Sequence, residues 1–136
     1  SGIVNNKTSS GNTLLAIGLD ATDIPRIDSA IKRFGDRFLQ RVFTQREITY
    51  CLKRRNPAPS FAARFSAKEA AMKALGTGHS NGILWKDIEV VRFSGPPSLL
   101  FHRAAQKRLQ ALGAQTSLLT LTHSDELAMA QVALLG

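Results

Sequence analysis

The side chains best suited to chemistry lie in one stretch, Arg64-Phe-Ser-Ala-Lys68-Glu69-Ala-Ala-Met-Lys73-Ala-Leu-Gly76-Thr-Gly78. Glu69 and Lys73 are four residues apart, so on a helix they share a face. One reading is a surface ion pair worth about 0.3–0.5 kcal/mol. The other is a carboxylate for a hard cation beside an ammonium for a phosphate. Mg²⁺ on a phosphorylated substrate needs only one or two protein carboxylates, because phosphate oxygens and water complete its octahedron. Asp20, after the apolar run Leu14 to Leu19, offers a second carboxylate. Spacing alone equally makes Asp20 a helix cap or turn former, and only a fold could bring it to Glu69. Gly76 follows a helix rather than preceding one. It therefore reads as a C-cap and not as a phosphate loop, which belongs at a helix N-terminus. His123 sits at the tip of the last turn, where a histidine is either solvated or functional. His79 and His102 show no obvious partner, and three scattered histidines do not make a zinc site. Cys51, the lone cysteine, reads as a small apolar residue on a helix; a catalytic thiol would need a positioned base.

The elements that must position these groups follow from periodicity. Leu14 to Leu19 reads as a buried strand ending at Asp20, with Gly18 weakening it or admitting another backbone. Asp23-Ile24-Pro25-Arg26 reads as a helix start, with Asp23 as N-cap and Pro25 in the first turn. Ile27, Ile31 and Phe34 continue at helical spacing to Gly35, and Asp36 to Val42 adds a turn or two. Thr44 and Glu47 form a capping box for a helix over 45–55. Asn56-Pro57-Ala58-Pro59 breaks it, and an alanine-rich helix runs from Ser60 to Leu75. Asp87 to Phe93 and Leu99 to Phe101 read as strands around the turn Gly95-Pro96-Pro97. Arg103 to Leu112 reads as a helix. Ser117 to Thr122 and Leu127 to Leu135 read as two strands joined by His123 to Glu126. Helices crowd the first half and strands the second, which predicts an α+β fold: an antiparallel sheet packed against helices on one side.

The chain has 136 residues, enough for one domain and too few for a separate cofactor domain. Residues 1–12 are polar and read as a loose tail, leaving 13–136 as the single domain. No run approaches the roughly 20 apolar residues of a membrane helix. One cysteine excludes an internal disulfide and fits a reducing compartment. The charge is lopsided: 18 basic and 10 acidic residues give +8, with a pI of 10.4. Residues 26–55 hold nine basic and three acidic residues, the larger share of that excess. A solvated face normally interleaves both signs, so this stretch reads equally as a docking surface for an acidic partner.

Three segments carry a family resemblance. Gly18-Leu-Asp20-Ala-Thr-Asp-Ile24-Pro-Arg26-Ile27 resembles the N-terminal signature of holo-[acyl-carrier-protein] synthases, in the phosphopantetheinyl transferase superfamily. The stretch from Arg64 to Gly78 resembles that family's most specific signature. Leu121-Thr-His123-Ser-Asp125-Glu-Leu-Ala-Met-Ala-Gln131-Val resembles its closing hairpin. Order and spacing also fit, over residues 14–135. Ala21 and Thr22 depart from the two aliphatic residues usual after the first aspartate, and Asp23 stands where a glutamate is frequent.

The resemblance implies a 4′-phosphopantetheinyl transferase-like fold and a Mg²⁺-dependent transfer of 4′-phosphopantetheine. The donor is coenzyme A, the acceptor a serine of an acidic apo acyl carrier protein, and the second product adenosine 3′,5′-bisphosphate. It implies Asp20 and Glu69 as magnesium ligands and Lys73 as the lysine that meets the coenzyme A phosphates. Glu69 is also the candidate base for the serine proton, beside a metal-held water. Arg64, Gly76 and His123 fall in motifs lining the coenzyme A site. Arg26 matches a basic residue on the helix that meets the carrier, with Arg33 and Arg37 beside it. It further implies a homotrimer with sites shared between copies, and a cytoplasmic place in fatty acid biosynthesis. Two other readings compete. A nucleic-acid module would also be basic, yet no stacking pattern or RNA-binding signature is present. A scaffold of the same fold without activity would not need Asp20, Glu69 and Lys73 together.

Overall fold

The computed structural model describes residues 12–78 and 82–136. The expected tail therefore lies almost wholly outside the described residues, and so does His79. Strand β1 (Leu14–Asp23) leads into helices α1 (Ile24–Phe34), α2 (Asp36–Val42), α3 (Gln45–Leu52) and α4 (Pro57–Leu75). A 3₁₀ turn at Trp85–Asp87 precedes β2 (Ile88–Val91) and β3 (Ser98–Phe101); α5 (Arg103–Ala111), β4 (Thr116–His123) and β5 (Leu127–Leu135) complete the chain. The strands form two antiparallel sheets, β1-β5-β4 and β2-β3. The α+β expectation holds, with two sheets where one was expected.

Helix α4 organises everything else. Fourteen of its nineteen residues are buried, the mark of a helix enclosed on all sides. Its alanines let neighbours approach closely. Ala67, Ala70, Ala71 and Ala74 pack with Ala130, Val132 and Leu134 of β5 in one core cluster. Phe61, Ala62 and Phe65 belong to a second, with Ile24 and Ile27 of α1, Val42 and Phe43. Gly18 admits the closest approach: a Cβ there would lie 1.9 Å from the Ala70 carbonyl oxygen. The strand backbone thus lies directly on the helix.

Several boundaries differ from expectation. β2 is shorter than the expected Asp87 to Phe93, ending at Val91. β1 continues past Asp20 to Asp23, because its pairing with β5 runs from Leu14↔Leu135 to Asp23↔Leu127. Asp20 is therefore inside a strand, opposite Ala130, and not at its end. Asp23 stands before α1 without making a side-chain cap. α4 starts at Pro57 rather than after Pro59, since prolines in a first turn forfeit only N–H groups that have no intrahelical partner. α3 ends at Leu52. Its capping box forms as expected: Thr44 Oγ1 accepts from the Glu47 N–H at 3.2 Å and Glu47 Oε1 from the Thr44 N–H at 2.9 Å.

Candidate active site

The face of α4 that meets β1 carries Ser66, Glu69, Ala70 and Lys73, which helical spacing aligns. The Asp20 carboxylate enters this face from β1. It accepts hydrogen bonds from Ser66 Oγ and Thr22 Oγ1, each at 3.0 Å. Lys73 Nζ lies 3.1 Å from Asp20 Oδ1 and donates at 3.0 Å to the Leu19 carbonyl. Ser66 is three residues before Glu69 and Lys73 four after it, so Glu69 shares the face that receives Asp20. Strand and helix thus gather Asp20 from the Gly18–Ile27 segment with Glu69 and Lys73 from the Arg64–Gly78 stretch. Lys73 is half exposed, at 54% of its side chain, and open to an incoming anion. Ser66 and Thr22 are additions that sequence reasoning missed. Ser66 was visible as a hydroxyl one turn before Glu69, but a serine in a helix has no signal of its own.

The two carboxylates suit a hard cation. They are oxygen donors, and the Ser66 and Thr22 hydroxyls hold the Asp20 carboxylate in one orientation. No three His, Cys, Asp or Glu side chains gather as a metal site among the described residues. Magnesium held here would depend on substrate oxygens to complete its shell.

A second group lies at the N-terminal end of α4. A cavity of about 320 Å³ is lined by Tyr50, Arg54, Arg64, Arg92, Thr122 and His123 among others, and no carboxylate lines it. Arg64 is only 5% exposed. Its guanidinium stacks 4.3 Å above the Tyr50 ring and donates to Ser60 Oγ at 3.2 Å. Its Nε is buried without a partner among the described residues. A buried charged donor left unpaired is costly, and an anion in the cavity would remove that cost. The Arg54 guanidinium also stacks on Tyr50, at 5.1 Å. His123 is exposed, with Nδ1 donating to the Ser124 carbonyl at 3.1 Å. The cavity and Asp20 lie on one sheet row, Leu121↔Ala130↔Asp20, two strand spacings or about 10 Å apart.

Other expected residues fall elsewhere. Gly76 closes α4 in the left-handed conformation, with φ 76°. It lies twelve residues from Arg64, about 18 Å along the helix, so this chain does not bring it to the cavity. Arg26, Arg33 and Arg37 are exposed on α1 and α2. The basic stretch 26–55 is not one face, however. Arg54 turns to the cavity, while Arg46 forms a two-pronged pair with Glu89 at 2.9 and 3.0 Å. His102, which showed no partner in the sequence, bonds Glu89 at 3.0 Å, and Thr44 Oγ1 donates to Glu89 at 2.7 Å. Burial pushes the Glu89 carboxyl up, and these hydrogen bonds outweigh it, holding it at about 2. Lys68 is no surface residue of the motif helix. It is fully buried, 2.8 Å from Glu47 and donating to the Trp85 and Ile88 carbonyls. Burial pulls its ammonium down against the opposing pull of Glu47. Cys51 is buried as expected, and burial pushes its thiol up.

This fold, a central helix laid on an antiparallel sheet with a lysine and two acidic residues between them, is that of a phosphopantetheinyl transferase. Residues 16–132 match the model of the 4′-phosphopantetheinyl transferase superfamily. The chain belongs to that superfamily, and within it to the holo-[acyl-carrier-protein] synthases. It is 47% identical over 122 residues to the holo-[acyl-carrier-protein] synthase of Koribacter versatilis, covering 89% of this chain and 98% of that one. The crystal structure of the Neisseria meningitidis synthase superposes with a TM-score of 0.82 at 28% identity, covering 90% of this chain and 98% of that one. The Helicobacter pylori synthase in complex with coenzyme A superposes with a TM-score of 0.76 at 28% identity, covering 87% and 98%.

Proposed function

We propose that this chain transfers the 4′-phosphopantetheine arm of coenzyme A to a serine hydroxyl of an apo acyl carrier protein, releasing adenosine 3′,5′-bisphosphate. The observation that carries the reading is the pair of anion-seeking places on one sheet: Lys73 beside Asp20 and Glu69, and the arginine-lined cavity about 10 Å away. Coenzyme A has phosphate groups for both, a diphosphate and a separate phosphate on its ribose. The complex of the Helicobacter pylori relative with coenzyme A supports the donor.

Asp20 and Glu69 are the proposed magnesium ligands, and magnesium when bound supplies neutralisation of the diphosphate charge. Lys73 is the proposed phosphate contact. It leaves Asp20 for the donor, adding positive charge where the breaking bond concentrates negative charge. Glu69 is the proposed base for the serine proton, as the second carboxylate on this face. Arg64 and His123 bind the nucleotide end; Gly76 would join the site only through a second copy of the chain. Arg26, Arg33 and Arg37 form the exposed surface for the acidic carrier.

A homotrimer with shared sites is proposed on the sheet's outer face. Ile17, Leu19 and Leu118 expose 59%, 54% and 62% of their surface there, an apolar patch of the kind that marks an interface. No helix among the described residues is long and apolar enough to cross a membrane. The proposed setting is the cytoplasm and fatty acid biosynthesis, in keeping with the single buried thiol.

Titration calorimetry on Lys73→Ala tests the phosphate contact. Coenzyme A affinity should fall at least about tenfold, the worth of a charge-assisted hydrogen bond. Unchanged affinity and rate would return Lys73 to a purely structural pairing with Asp20.

A further inference from the structure

Seven of the fourteen buried residues of α4 are alanine. A helix enclosed on all sides has no solvent face to choose its rotation, and alanine offers little shape to interlock. Apolar packing of this kind loses its uniqueness before it loses its stability. The site nevertheless needs one rotation, the one that turns Ser66, Glu69 and Lys73 to β1. A more directional contact must fix it.

Lys68 makes that contact. It lies about 150° round the helix from the Ser66, Glu69 and Lys73 group, on the side away from β1. Its ammonium has three protons and meets three acceptors: Glu47 Oε1 at 2.8 Å, the Trp85 carbonyl at 3.2 Å and the Ile88 carbonyl. These belong to α3, the 3₁₀ turn and β2. Glu47 is held in turn, since Oε1 accepts from the Thr44 N–H at 2.9 Å and Oε2 from the Val90 N–H at 2.8 Å. The Phe43 ring centroid lies 5.7 Å from the ammonium. Neither side chain of the pair reaches solvent. Taking both charges out of water is expensive, and apolar residues of similar volume in place of a buried ion pair are often as stable or more so. Stability alone therefore explains the pair poorly. Hydrogen bonds have direction, and three of them to three elements admit one rotation of α4.

We infer that Lys68, locked by Glu47, is a positioning residue of the reaction: it sets the rotation of α4 that presents Glu69 and Lys73 to Asp20. The inference rests on the reading of Asp20 and Glu69 as metal-binding carboxylates. It adds a buried ion pair on the far side of the helix, which touches neither substrate nor metal and acts through the neighbour of Lys68 in the chain.

Lys68→Met alone leaves the Glu47 charge buried without its partner, and measures that cost rather than positioning. The double variant E47Q/K68M removes both charges, nearly keeps both volumes and leaves an acceptor for the Val90 N–H. It should unfold near the wild-type temperature. Its kcat should still fall about 10–100-fold, as for a small misplacement of reacting groups. Its KM for the carrier protein should stay within about twofold of wild type, because Arg26, Arg33 and Arg37 stand on other elements. Mn²⁺ affinity in the presence of coenzyme A, read by electron paramagnetic resonance, should weaken about tenfold. The isosteric E47Q alone should move kcat and Mn²⁺ affinity in the same direction. A folded E47Q/K68M with wild-type kcat and Mn²⁺ affinity would overturn the positioning role; should that variant not fold, the same two values unchanged in E47Q would overturn it. A wild type that binds no Mn²⁺ with coenzyme A would overturn the metal reading, and the inference with it. A wild type that binds Mn²⁺ and transfers nothing would overturn the proposed activity alone, and weaker Mn²⁺ binding by E47Q/K68M would still carry the inference.

Discussion

At the scale of single residues, charges in this protein divide between those held by the fold and those left open. Lys68 and Glu47 are buried against each other, and Lys68 further spends its protons on the Trp85 and Ile88 carbonyls. Lys73, five residues on, keeps half its surface in solvent. The Glu89 network has a measurable signature. Its carboxyl is held at about 2 against an ordinary 4.5. A depressed carboxyl stabilises the fold above its unfolded value and loses that contribution as pH falls from about 4.5 to about 2. Urea midpoints measured across that window should drop in wild type by more than in Glu89→Gln, which cannot titrate. Parallel curves for the two proteins would mean that the network adds nothing specific to the ionised form.

At the scale of elements, the fit of β1 on α4 sets the site. Alanine at position 18 would drive its Cβ to 1.9 Å from the Ala70 carbonyl oxygen. Backbone cannot swing aside as a flexible side chain can. Gly18→Ala should therefore cost at least about 1–3 kcal/mol, the usual range for overpacking, and should part Asp20 from Ser66. Thermal unfolding and transfer rate should both fall; an alanine variant of wild-type stability would show that β1 can lift from α4 freely.

Much of this element layer was legible. The period of Leu127 to Leu135, the capping box at Thr44 and the stop at Gly76 are local signals, and each holds. What was illegible depends on pairing. Nothing in Ala21-Thr22-Asp23 says that a strand continues, because β5 supplies the partner from a hundred residues away. Lys68 and Lys73 stand alike in the motif, and only the layers packed around α4 make one buried and the other open. Arg54 read as part of a basic docking run because sequence shows charge but not direction. Arg92 gave no signal at all, lying in a hairpin that only the β2–β3 register brings to the cavity.

At the scale of the whole molecule, the outer face of the β1-β5-β4 sheet exposes Ile17, Leu19 and Leu118. Leu19→Asp should place a charge in the proposed interface between copies. Light scattering should then show a species near 14.8 kDa in place of one about three times that mass, and activity should fall with the loss of the shared site. A fully active monomer would contradict the assembly.

The central claim is that Asp20, Glu69 and Lys73 make this chain a phosphopantetheinyl transferase. It is tested most directly by the intact mass of an apo acyl carrier protein incubated with the enzyme, coenzyme A and Mg²⁺. The account predicts a gain of one phosphopantetheine on the carrier serine, and an initial rate about 100–1000-fold lower with folded Glu69→Gln, the usual loss for one electrostatic element of such a site. A carrier of unchanged mass with wild-type enzyme, or a Glu69→Gln rate equal to wild type, would contradict it.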